Sequence, residues 1–105
     1  MWGVCGASCE VHYSASKAAL IGFTKALAKE TGPSGITVNC VAPGFIDTPM
    51  NNHLDEESIK EIVDATPIMR KGTGEDVASL ALFLSGDNAG FITGQVISVD
   101  GGYSI

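Results

Sequence analysis

The chain has 105 residues, 45% of them hydrophobic and 17% charged, which is the size and balance of one small globular domain rather than of a disordered segment. Its net charge is −6 and its six Lys and Arg are scattered, so neither nucleic acid nor an anionic membrane is expected as a partner, although main-chain N–H groups could still hold a phosphate. No apolar run approaches a membrane span, Met1–Gly6 lacks the basic start of a signal peptide, and three cysteines do not make a disulfide framework, so a reducing, cytoplasmic setting is expected.

From about Tyr13 to Glu30 the chain is rich in Ala, Leu and Lys, all good helix formers. Leu20, Phe23 and Leu27 recur at helical spacing as the expected apolar face, while Lys25, Lys29 and Glu30 suit solvent. Ala15, Ala18, Ala19, Ala26 and Ala28 leave a smooth surface on which a neighbouring element can approach closely. Gly32-Pro33-Ser34-Gly35 should end the helix, glycine by supplying a left-handed φ and proline by removing a donor. The β-branched run Ile36 to Ala42 then reads as a strand ended by Pro43-Gly44.

Asp55 to Asp64 is helical again, with Asp55 as N-cap, Glu56 and Glu57 complementing the helix dipole, and Ile59, Ile62 and Val63 as its stripe. Thr73 and Asp76 read as a capping box, with Asp in place of the usual Glu, for a helix striped by Val77, Leu80, Ala81 and Leu84 and stopped by Gly86. Gln95 to Val99 is a last short strand before Asp100-Gly101-Gly102. Strands joined through helices in this order are expected to pair in parallel with a right-handed crossover. Parallel sheets are normally covered on both faces, so two such strands suggest part of a larger α/β assembly.

Tyr13 and Lys17 lie four apart on one predicted helix, so both side chains should project from the same face. A phenol has an ordinary pKa near 10, and a neighbouring ammonium favours the phenolate and lowers that value. A tyrosine tuned in this way can give a proton to a carbonyl oxygen, or take one from an alcohol. The spacing alone also fits two unrelated surface residues.

Longer motifs give the pair a context. Tyr13-Ser14-Ala15-Ser16-Lys17-Ala18 resembles the active-site helix of short-chain dehydrogenases/reductases. Ile36 to Gly44 is similar to that family's strand and Pro-Gly turn beside the nicotinamide, and Ile92 to Gly102 to its C-terminal strand and tail. Three motifs in family order cover nearly the whole chain. The pattern is most similar to 3-oxoacyl-(acyl-carrier-protein) reductases of fatty-acid synthesis and their relatives.

The resemblance implies an α/β fold, the C-terminal portion of a Rossmann-type doubly wound parallel sheet, with residues 1–105 forming a single partial domain. It implies an oxidoreductase using NADP or NAD on a small carbonyl or alcohol, or on an acyl-carrier-protein-linked substrate. Tyr13 corresponds to the general acid/base, and Lys17 to the residue that binds the nicotinamide ribose and lowers the tyrosine pKa. Pro43 and Gly44 correspond to the turn packed on the nicotinamide, while the Ile46 backbone and the Thr48 hydroxyl correspond to contacts with its carboxamide or the adjoining phosphate. The stretch from Pro49 to Arg70 corresponds to the substrate-covering loop, and the family habit is a homo-oligomer, commonly a tetramer.

The same resemblance puts the family's Gly-rich pyrophosphate turn and structural Asn upstream of Met1, and its catalytic Ser immediately ahead of Met1. Ser8 stands too near Tyr13 to inherit that role and suits the turn into the helix. The expectation is therefore a C-terminal half, weak or inactive alone, in which the choice between NAD and NADP is not legible. The alternative is a non-catalytic oligomerisation or interaction fragment. Cys5, Cys9 and His12 lack a fourth ligand at metal spacing and read as small, soft residues near a core, so no metal is expected; His53 reads as a solvated loop residue.

Overall fold

The computed structural model describes the backbone of residues 2–49 and 54–105, and the side chains of residues 14–49 and 54–105. The order is helix α1 (Trp2–Thr31), strand β1 (Cys40–Pro43), helices α2 (Glu56–Asp64) and α3 (Gly74–Leu84), and strand β2 (Val96–Val99). Short 3-10 turns at Gly32–Ser34 and Asp87–Ala89 follow α1 and α3. The chain folds as two compact units, Met1–Cys40 with Phe91–Gln95, and Val41–Gly90 with Val96–Ile105. Among the described residues no helix is long and apolar enough to cross a membrane.

In the first unit, α1 begins well before the expected start. Gly3 and Gly6, poor helix formers at about 1 kcal/mol each relative to Ala, had masked its first turns. It stops as expected: Gly35 is left-handed (φ 77°) and its N–H donates to the Gly32 carbonyl at 2.9 Å. The buried face, however, is not the expected one. Leu20 and Phe23 are 52% and 62% exposed and Leu27 is half-buried, whereas Thr24 and Ala28 are buried.

The reason is steric. Small residues one turn apart let main chain come close, and a Cβ built on Gly94 would lie 3.5 Å from the Ala28 Cβ. The Thr24 hydroxyl is satisfied within the helix by the Leu20 carbonyl at 2.7 Å. The smooth alanine surface is thus used at Ala28, and the larger apolar side chains are left outside.

The strand expected from Ile36 is regular only from Cys40. Ahead of it, side chains replace the main-chain ladder. The Val38 N–H donates to the Thr93 hydroxyl (2.9 Å), the Asn39 amide donates to the Ile92 carbonyl (3.1 Å), and the Gln95 N–H donates to the Asn39 side-chain oxygen (3.1 Å). The Gly94 N–H donates to main chain there, at the Val38 carbonyl, 2.7 Å away. Asn39 therefore serves both sides of the strand entry with one amide group.

β1 and β2 form a two-stranded sheet. Cys40 N–H donates to the Gln95 carbonyl and Gly44 N–H to the Val99 carbonyl (2.8 and 2.9 Å), so both partners advance in the same direction and the pairing is parallel, as expected. The architecture is the anticipated α/β.

In the second unit the local signals hold. Asp55 caps α2 by accepting from the Ser58 N–H at 2.7 Å, and Ile59, Ile62 and Val63 are half-buried along its stripe. Thr73 and Asp76 form the capping box at α3. Along α3, Val77, Leu80 and Leu84 are half-buried while Ala81 faces solvent. Thr66 and Ala89 are buried in this unit.

Candidate functional site

On α1 the helix places position 13 one turn before Lys17, whose side chain is exposed. The Tyr13 side chain lies outside the described residues, as do those of Cys5, Ser8, Cys9 and His12, and all of Met50 to His53. Among the described residues no group of three His, Cys, Asp or Glu is placed to hold a metal ion.

The other four candidate residues follow one another out of β1 in the second unit. Pro43 is the last strand residue. Gly44 follows, and the direction in which its Cβ would point is already occupied: a Cβ there would be 2.6 Å from the Asp100 Cβ and 2.8 Å from its Cα. Glycine is therefore required here by the packing of the two strand ends, a reason independent of any ligand. Asp100 in turn accepts from the Gly102 and Ser104 N–H groups (3.0 and 3.2 Å), fixing the turn after β2. The Ser104 side chain first, and then the Gly102 N–H, hold its carboxyl below the ordinary carboxylate pKa.

Beyond Gly44 the chain leaves β2 and takes a different neighbour. Ile46 forms a parallel bridge with Gly72. The Gly72 N–H donates to the Phe45 carbonyl (2.9 Å) and the Asp47 N–H donates to the Gly72 carbonyl (2.8 Å). Lys71 Nζ adds an exposed ion pair with Asp47 at 3.5 Å. Thr48 comes two residues after Ile46, at the end of this clamped stretch.

A recess of about 340 Å³ opens in the same unit beside Phe45, lined by Thr66, Ile68, Arg70, Asp76 and Asp100. Thr66, Ile68 and Arg70 belong to the stretch expected to cover the substrate, whereas Asp76 and Asp100 were not site candidates from the sequence. Asp76 was legible only as half of a capping box, and Arg70 stands outside the helix, where no periodic spacing could link the two. They form a two-pronged ion pair, Nη1 to Oδ2 at 2.8 Å and Nη2 to Oδ1 at 3.2 Å. The Arg70 guanidinium, together with the Thr73 N–H, holds the Asp76 carboxyl far below the usual carboxylate range.

The family model described as enoyl-(acyl carrier protein) reductase matches residues 3–104. The 3-oxoacyl-(acyl-carrier-protein) reductase FabG of Chlamydia trachomatis is 49% identical over 100 residues, which are 95% of this chain and 40% of that protein. The FabG of Thermotoga maritima is 46% identical over 103 residues, 98% of this chain and 42% of the relative. Among solved structures, the 3-oxoacyl-(acyl-carrier-protein) reductase of Brucella melitensis superposes with a TM-score of 0.86 at 47% identity, covering 90% of this chain and 35% of the other. A Serratia marcescens short-chain dehydrogenase/reductase superposes with a TM-score of 0.81 at 43% identity, covering 89% and 38%. The chain spans about two fifths of the length of these curated relatives. A match along nearly its full length, at these identities and with a shared fold, means that the chain belongs to the short-chain dehydrogenase/reductase family.

Proposed function

We propose that the chain carries the proton-transferring helix and the nicotinamide-side turn of an NAD(P)-dependent oxidoreductase that interconverts a carbonyl and an alcohol. The observation that carries this reading is the Tyr13–Lys17 pair at one-turn spacing on α1, within a chain whose family match runs over residues 3–104. When bound, a reduced nicotinamide supplies the hydride that goes to the carbonyl carbon. Tyr13 donates the proton that the carbonyl oxygen needs, and takes it back in the reverse direction. Lys17 favours the phenolate by its charge and hydrogen-bonds the nicotinamide ribose. Each unit carries groups suited to such a cofactor: in the first a phenol and an ammonium that suit ribose oxygens, in the second the Thr48 hydroxyl, which suits a carboxamide or phosphate oxygen. The one carboxylate within the turn, Asp47, is paired with Lys71.

The finer reading is a 3-oxoacyl substrate on acyl-carrier protein, supported by the names of the Chlamydia and Thermotoga relatives. NADPH is the first cofactor to try, because a structural neighbour at TM-score 0.75 and 39% identity is described as an NADPH-dependent reductase. The test is to titrate the chain with NADPH and NADH, then to follow reductant loss with a 3-oxoacyl thioester. Binding should fall on Lys17→Ala, and turnover should fall at least about 10²-fold on Tyr13→Phe, the scale of losing one transition-state hydrogen bond. Reduction that survives Tyr13→Phe unchanged would overturn the assignment.

A second reading, an assembly role, is favoured by the exposure of Leu20 and Phe23 on α1. Sedimentation would separate the two: self-association lost on Phe23→Ser supports assembly, and a monomer at all concentrations argues against it.

A further inference from the structure

We infer that Asp76 is a positioning residue for the Ile46–Thr48 stretch, acting through Arg70 and Gly72. This rests on the reading above, in which that stretch holds the nicotinamide end of the cofactor.

The Gly44 N–H donates to the Val99 carbonyl of β2, and the stretch that follows meets Gly72. Its main chain is held from Gly72, through the two bonds to Phe45 and Asp47 and the bridge at Ile46. The fit is close, since a Cβ on Gly72 would come 2.6 Å from the Ile46 Cδ1. A shift of Gly72 therefore moves the main chain from Phe45 to Asp47, next to Thr48.

Gly72 is itself fixed from both sides by one carboxylate. On the N-terminal side, Arg70 grips both Asp76 oxygens, and its Nη1 also donates to the Lys71 carbonyl at 2.9 Å. On the C-terminal side, the Thr73 N–H and hydroxyl donate to Asp76 Oδ2 at 2.8 and 3.1 Å. Asp76 lies in the first turn of α3, so the loop 70–73 is referenced to a rigid helix end. A pair with side chains 55% and 32% exposed adds little to stability, but two-pronged charge-assisted bonds fix direction well. Binding groups displaced by even a fraction of an ångström lose much of their effect, which is why fixing the loop matters to the site.

The test uses isotope-labelled chain, amide hydrogen exchange, and titration with reduced nicotinamide mononucleotide, which probes the nicotinamide half alone. Asp76→Asn should speed exchange of the Gly72 and Asp47 amides, and weaken binding of the mononucleotide, by about tenfold each, the scale of one charge-assisted hydrogen bond. Asp76→Glu, which restores the usual capping-box residue, should recover both. Unchanged exchange at Gly72 and Asp47 in Asp76→Asn overturns the inference. So does faster exchange with unchanged affinity, provided that Thr48→Ala does weaken binding. Absence of binding by the native chain, or binding indifferent to Thr48→Ala, overturns the nicotinamide reading itself and this inference with it.

Discussion

Gly44 and Asp100 meet so closely that a methyl group on the glycine would sit 2.6 Å from the Asp100 Cβ and 2.8 Å from its Cα. The neighbour is partly backbone, so no side-chain rotation relieves the clash. Asp100 is also tied to the turn that follows it, through Gly102 and Ser104. The end of β1 and the end of β2 are thereby packed as one piece. Gly44→Ala should cost about 1–3 kcal/mol, the range for overpacking a filled site. The measurement is the urea midpoint, which should fall while the slope stays constant.

The two faces of α1 should respond in opposite ways. Phe23→Ser changes an exposed side chain and should shift stability by no more than about 0.5 kcal/mol. Ala28→Leu adds bulk where the helix meets Gly94 and should destabilise by about 1–3 kcal/mol. Thermal unfolding of both variants decides it. A large loss for Phe23→Ser would mean that the Leu20–Phe23 face is buried after all.

Thr73→Ala removes the hydroxyl that accepts from the Asp76 N–H at 3.2 Å and should cost about 0.5–2 kcal/mol, the range for losing an N-cap. Thr73→Ser keeps the hydroxyl and should stay close to native. Helix content by circular dichroism through a urea titration reports both.

Acid should weaken the chain modestly through three solvent-accessible aspartates. The Ser58 N–H at Asp55, the Arg70 guanidinium at Asp76 and Ser104 at Asp100 each hold a carboxyl below its ordinary pKa of 3.8. The unfolded chain therefore binds protons more readily than the folded one, and stability rises with pH through this range. The contribution is fully present above about pH 5, and shrinks as pH falls through the ordinary carboxylate pKa toward the lower folded values. Unfolding midpoints measured from pH 7 to pH 2 should be flat and then fall, and Asp76→Asn should make the fall shallower.

Much of this was legible in the residues alone. The order of elements, the Asp55 cap, the Thr73–Asp76 box and the stop at Gly35 each depend on side chains within a turn of the backbone they serve, and local chemistry is enough to specify them. The motif around Tyr13 and Lys17 and the Pro43-Gly44 turn were likewise readable, as was the parallel pairing of the two strands.

Tertiary structure alone decided the rest. It buried Thr24 and Ala28 and left Leu20 and Phe23 exposed, with Ala28 packed beside Gly94. It moved the strand start to Cys40 by giving Asn39 and Thr93 the bonds that main chain would have made. It gave Gly44 a reason to be glycine in Asp100, and set Arg70 and Asp76 on either side of Gly72. Those relationships join residues whose separation along the chain follows no helical or strand period, so only the packed backbone brings them together.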